Sequence, residues 1–197
     1  MKFLKDRAFY RALFGLTVSI ALQNLLAYSV NLADNVMLGA YSQTALSGSA
    51  LCNQIQFLLQ MMISGAAEGL VVLASQYWGQ RRVAPIPPIV GAALRFSVLL
   101  SAALLAMAAL WPEFCLGLIT SEQAVILEGA RYLRIVCWTY VIFAVTQTLI
   151  AALRAVGIVR IGYVISFSTL CINVALNSCL IFGKFGCPEL GVRGAAI

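Results

Sequence analysis

The chain has 197 residues, 62% of them hydrophobic and only 10% charged. An ordinary soluble domain carries about 25% charged residues, so a soluble globular class is excluded. The net charge of +6 falls in short clusters between apolar runs rather than along a face, which argues against a nucleic-acid partner, and the absence of histidine removes the commonest general base and neutral metal ligand.

A helix needs about 20 mostly apolar residues to cross a hydrocarbon core of roughly 30 Å. The first such run extends from Arg11 to Ala40, and from Ala12 to Ala33 it carries no charge. Asp34 then appears before the run ends in Val36-Met37-Leu38-Gly39-Ala40, so the carboxylate falls inside the span. Intramembrane acids are costly and tend to face a cavity or ion path. The basic stretch before Arg11 leads into a run too long for a signal peptide, and no small-residue cleavage site follows. The second span is predicted over Ser47–Trp78, the third over Pro88–Trp111, the fourth over Ala124–Leu153 and the fifth over Ile161–Gly183, with the opening of a sixth before Ile197. Breakers punctuate the connections: Gly79 with Pro85, Pro87 and Pro88; Pro112 to Ser121; Gly157; and Gly186-Cys187-Pro188. The fold class is therefore all-α, a polytopic membrane helical bundle.

Lys2, Lys5, Arg7 and Arg11 precede the first span, Arg81 and Arg82 follow the second, and Arg154 and Arg160 flank the fourth-to-fifth connection. Cytoplasmic loops carry the Lys/Arg excess, which predicts a cytoplasmic N-terminus in a plasma membrane and puts Asp34 toward the outer face. Tyr41, Trp78 and Trp111 stand at span ends, as interfacial aromatics do. The six cysteines (Cys52, Cys115, Cys137, Cys171, Cys179 and Cys187) have no metal-type spacing. Most read as small hydrophobes within apolar runs, and a Cys179–Cys187 disulfide is not expected.

Polar residues inside the spans fall in stripes. In the first, Asn24, Tyr28, Asn31 and Asn35 recur at four and three, with Asp34 adjacent. In the second, Asn53, Gln56, Gln60, Ser64 and Glu68 recur at three or four, a face that lipid cannot satisfy. These residues are expected to line a cavity, interhelical hydrogen bonding being the alternative. Gly65 and Gly69 give a small-xxx-small spacing that permits close helix approach. Glu68 is either neutralised by Arg95 on the next span or a protonatable site. Glu128 with Arg131 and Arg134 reads as ion pairing at the start of an amphipathic helix. Counting from the span ends, Asp34 and Asn177 share one depth, with Asn173 a turn deeper on the same face as Asn177. Two amides facing one carboxylate make a candidate proton or small-cation site, since oxygen ligands suit a hard cation such as sodium.

LQNLLAYSVNLADNVMLGAYSQTALSGSALCNQI, LASQYWGQRR, GARYLRI, ALRAVG and NVALNSCLIFGKFGCPELGVRGAAI, taken in order, resemble the multidrug and toxic compound extrusion (MATE) family over nearly the whole chain. The resemblance implies a two-lobe, twelve-helix exporter of cationic or amphipathic compounds in exchange for protons or sodium, with no other cofactor. Residues 1–197 are then an N-terminal lobe truncated at the sixth helix, its C-terminal lobe missing. Alternating access in such folds needs two repeats rocking about a midplane site, so this lobe is not expected to transport alone. The resemblance makes Asp34 the acid of the N-lobe cation site and Asn173 its fifth-span asparagine. Asn177 stands where several members carry aspartate, which weakens the case for sodium. Ser19 stands where many carry a proline, so a proline-based helix bend is not implied.

Other classes fit less well. A lipid-linked oligosaccharide flippase of related fold should line its cavity with basic residues, whereas this stripe is amide and acid. An enzyme would need a nucleophile–base or metal constellation, and none is legible. A non-transporting membrane subunit is the remaining alternative.

Overall fold

The computed structural model describes residues 7–181, and these form seven helices: α1 (Arg7–Tyr41), α2 (Gln43–Gly79), α3 (Ile86–Leu110), α4 (Pro112–Gly117), α5 (Gln123–Val136), α6 (Thr139–Ala155) and α7 (Arg160–Leu180). Four of them, α1, α2, α3 and α7, are long and apolar enough to cross a membrane, and the bent pair α5–α6 raises the number to five if it is one span. The protein is an all-α, multi-pass helical bundle. The segment expected to open a sixth span, and Cys187 with it, lies outside the described residues.

The predicted fourth span is not one straight rod. Its halves meet at Cys137 and Trp138 with a bend of 55°. No proline or glycine stands at the break. Instead, the Thr139 hydroxyl donates to the Val136 carbonyl at 2.7 Å, and the Tyr140 amide closes a tighter turn onto Cys137 O at 3.1 Å. Such local side-chain bonds compete with the helical ladder and bend helices. Residues 112–117, expected as loop, form the short helix α4 with Pro112 in its first turn, a position that proline tolerates. α1 runs unbroken through Ser19, whose hydroxyl bonds back to Gly15 O at 2.8 Å.

α2 is the central element and packs against α1, α3, α5 and α6. Its core stripe is Cys52, Ile55, Leu59, Ile63, Ala67, Leu70 and Ala74, all buried. Spacings of three and four, averaging close to 3.6, keep that stripe on one side of the helix. The stripe joins two apolar clusters. One gathers Cys115, Leu116, Leu133 and Tyr140 near the start of α2. The other gathers Ile86, Ala151 and Ala155 near its end. Backbones approach most closely where α2 meets α5: a Cβ placed on Gly48 would lie 2.9 Å from the Gly129 nitrogen. By contrast, Gly65 and Gly69 have nothing within 4 Å, so the small-xxx-small pair makes no close contact among the described residues.

α2 and α6 end in the same turn. At α6 the Ile158 amide reaches Leu153 O and the Gly157 amide reaches Arg154 O, with Gly157 at φ 83°. At α2 the Arg82 amide reaches Tyr77 O and the Arg81 amide reaches Trp78 O, with Arg81 at φ 57°. The left-handed position that glycine fills in one turn is filled by arginine in the other.

Candidate functional site

The site is built on the seam between α1 and α7. Asn177, buried on α7, donates from Nδ2 to Asp34 Oδ1 on α1 at 2.5 Å, and the same Nδ2 lies 3.4 Å from Asn173 Oδ1 one turn away. The two helices therefore bring together all three residues picked from span depth. Asp34 is half-buried and has no ion-pair partner among the described residues. An amide N–H facing a carboxylate is attractive without a cation between them, and both Asn177 and Asn173 hydrogen-bond to Asp34. The donor set is all oxygen apart from that N–H, which suits a hard cation and no soft metal.

Beside this cluster lies a cavity of about 300 Å³ bounded by α1, α2, α6 and α7. Asn31, Gln56 and Gln60 line it together with Tyr28, Thr146, Gln147, Ser166 and Thr169. The remaining lining is apolar, and no charged side chain contributes. Asn31 is three residues before Asp34 on α1, and Thr169 is four before Asn173 on α7, so cavity and carboxylate succeed one another along the seam within about one helical turn.

The second-span stripe does not stay together. Asn53 faces a separate groove with Ala50, Gln54 and Phe57, Ser64 is exposed, and Glu68 is exposed near the other end of α2. Each of Gln56, Gln60, Ser64 and Glu68 stands one position, about 100°, past the buried stripe Ile55, Leu59, Ile63 and Ala67, so the polar row flanks the core of α2 rather than facing it. Glu68 pairs with Arg154 of α6 at 3.4 Å, not with Arg95, because α6 presents its last turn to α2 while Arg95 is exposed. Glu128 does pair with Arg131, at 2.7 Å. In the first span, Tyr28 and Asn31 reach the cavity, Asn24 is exposed, and Asn35 Oδ1 is buried without a hydrogen-bond partner among the described residues.

Sequence reading missed Thr146, Gln147, Ser166 and Thr169. A signal existed for the last two: Ser166, Thr169, Asn173 and Asn177 follow one another at three, four and four, which is one face of α7.

The MatE family model matches residues 19–179. The chain belongs to the MatE family. Among curated relatives, "Probable multidrug resistance protein NorM" of Thermotoga maritima is 28% identical over 89% of this chain and 38% of its own length. "Uncharacterized transporter YisQ" of Bacillus subtilis is 28% identical over 98% of this chain and 42% of its own length. "Multidrug resistance protein NorM" of Vibrio parahaemolyticus is 25% identical over 94% of this chain and 41% of its own length. The chain thus spans about two fifths of the length of these relatives.

Proposed function

We propose that this MatE chain forms the N-terminal lobe of a cation-coupled antiporter that exports organic cations or other amphipathic drugs. In this reading Asp34 is the titrating group of the lobe, and Asn173 and Asn177 orient it. The observation that carries the proposal is the half-buried Asp34 carboxylate, held by the side-chain amides of Asn177 and Asn173 with no ion-pair partner among the described residues, beside a cavity with no charged lining residue. A carboxylate in that setting is stabilised either by a proton or by a bound cation. With Asn177 in place of a second acid the site carries a single negative charge, which one proton neutralises. The absence of basic residues from the cavity lining speaks against a pyrophosphate-carrying lipid as cargo.

Transport would require a second lobe, so the test belongs in a complete transporter carrying this lobe. Asp34→Asn keeps the shape and hydrogen bonding but holds the site neutral. Gradient-driven drug efflux should collapse while equilibrium drug binding changes little. Efflux at the parental rate would place coupling elsewhere. Orientation in the plasma membrane, with the N-terminus and Arg82 cytoplasmic, is tested by single-cysteine labelling. A cysteine at position 82 that reacts with an impermeant maleimide in intact cells would reverse the topology.

A further inference from the structure

The α2–α3 turn holds a feature that neither the cavity nor Asp34 uses. Trp78, Gly79, Arg81 and Val83 line a groove of about 390 Å³, well apart in sequence from the α1–α7 seam. Trp78 and Val83 are 46% and 56% exposed, and Arg81 and Arg82 are exposed beside them. Arg81 sits at φ 57°, the left-handed region where a residue with a Cβ is disfavoured and glycine is not. The α6–α7 turn makes the same pair of backbone bonds with Gly157 in that place.

Attraction between a cation and the C-terminal end of a helix does not require this position. Gln80 and Arg82 flank it, and a basic side chain at either would act on the last turn of α2 without the left-handed backbone. What position 81 adds is place: Arg81 lines the same groove as Trp78. A guanidinium makes forked bonds to phosphate, an indole prefers the boundary between hydrocarbon and headgroup, and an exposed valine prefers acyl chain. No acidic residue is among those lining the groove.

We propose that this groove binds the phosphate of an anionic phospholipid, with Arg81 as its principal ligand and Trp78 as the wall that meets the lipid neck.

The test uses the full chain with Trp111→Phe and Trp138→Phe, which leaves Trp78 as its one indole. It is reconstituted in phosphatidylcholine vesicles containing equal mole fractions of brominated phosphatidylglycerol or brominated phosphatidylcholine, and Trp78 fluorescence is followed. Brominated phosphatidylglycerol should quench at several-fold lower mole fraction. Arg81→Gly should reduce that preference about fivefold, the worth of one basic residue at an anionic surface. Because glycine accepts the left-handed turn, Arg81→Gly should melt at the same temperature as the parent or higher. Equal quenching by the two lipids would overturn the proposal, as would an undiminished preference in Arg81→Gly. A lower melting temperature in Arg81→Gly would show that the arginine serves the turn itself, and loss of the preference on adding inorganic phosphate would show a site for free anions. Either result would also overturn it.

Discussion

The side-chain amide of Asn177 donates to the Asp34 carboxylate across 143 residues of sequence, and it does so where α7 leaves its long contact with α1. α7 packs chiefly on α1, so this bond and the helix faces around it hold α7 to the bundle. At the other end of the same seam, Gly162 of α7 receives Gln23 of α1 so closely that a Cβ there would lie 2.6 Å from Gln23 Oε1. The seam is pinned by a polar bond at one end and by a steric fit at the other.

Removing the polar pin should be measurable. A hydrogen bond to a charged group contributes about 1.5–3 kcal/mol, and Asn177→Ala is expected to cost near the lower figure because Asp34 is only half-buried. Asn177→Asp should be worse at neutral pH, since two carboxylates would then face each other. Protonating either one relieves the repulsion, so that variant's stability should rise as pH falls and be lost as pH rises. Added sodium should restore it at neutral pH if the site accepts the ion. Thermal melting in detergent across pH, with and without sodium, reads all three expectations; a pH-independent deficit in Asn177→Asp would show that the two side chains do not share the site.

Close approach of α2 and α5 makes a sharper steric prediction. Gly48→Ala would drive a methyl group to 2.9 Å from backbone nitrogen, which cannot swing aside. Overpacking of this kind costs about 1–3 kcal/mol. Gly65→Ala meets open space and should be neutral or slightly stabilising, because alanine favours the helix. Thermal stability of the two variants side by side is the check, and equal loss in both would refute the contact assignment.

The Glu68–Arg154 pair should prove weak. Its carboxylate is 65% exposed and the N–O separation is 3.4 Å. Pairs of that kind contribute about 0–1 kcal/mol. A double-mutant cycle of Glu68→Gln and Arg154→Gln should give a coupling below about 1 kcal/mol. A larger coupling would mean that the pair is shielded from solvent in the membrane.

Cavity hydration can be read by labelling. On a cysteine-free background, Gln147→Cys should react with a charged, water-soluble maleimide, because Gln147 lines the cavity. Leu149→Cys, two residues on and on the opposite side of α6, should not. Reaction at both positions, or at neither, would contradict a water-filled space bounded by α1, α2, α6 and α7.

Span count and the Asp34–Asn173–Asn177 cluster were legible because both rest on lengths: apolar run length marks a span, and distance from its end marks depth. What the residues hid were features set by rotation and by pairing. Gln56, Gln60, Ser64 and Glu68 look like one face when spacing is scored at three or four, yet only Gln56 and Gln60 reach the cavity, while Ser64 and Glu68 are exposed. The partner of Glu68 depended on which helix lies beside α2, and depth alone favoured Arg95 over Arg154. The small-residue contact fell at Gly48 and Gly129, which are far apart in sequence and form no motif, rather than at Gly65 and Gly69, which do. The bend at Cys137 left no proline or glycine to read.

A single residue, Ser42, separates α1 from α2, and its amide still bonds to Leu38 O while its carbonyl accepts from Leu46. A joint that short leaves almost no slack for translation. α1 is 35 residues long, a rod of about 52 Å at 1.5 Å per residue. Pivoting it by about 10° at Ser42 would sweep its far end through about 9 Å, a displacement computed from that same rise. Asp34, eight residues from the fulcrum, would move by only about 2 Å. The geometry is that of a lever with the carboxylate close to its pivot: a small change of contact at Asp34 is converted into a large excursion at the opposite end of the helix.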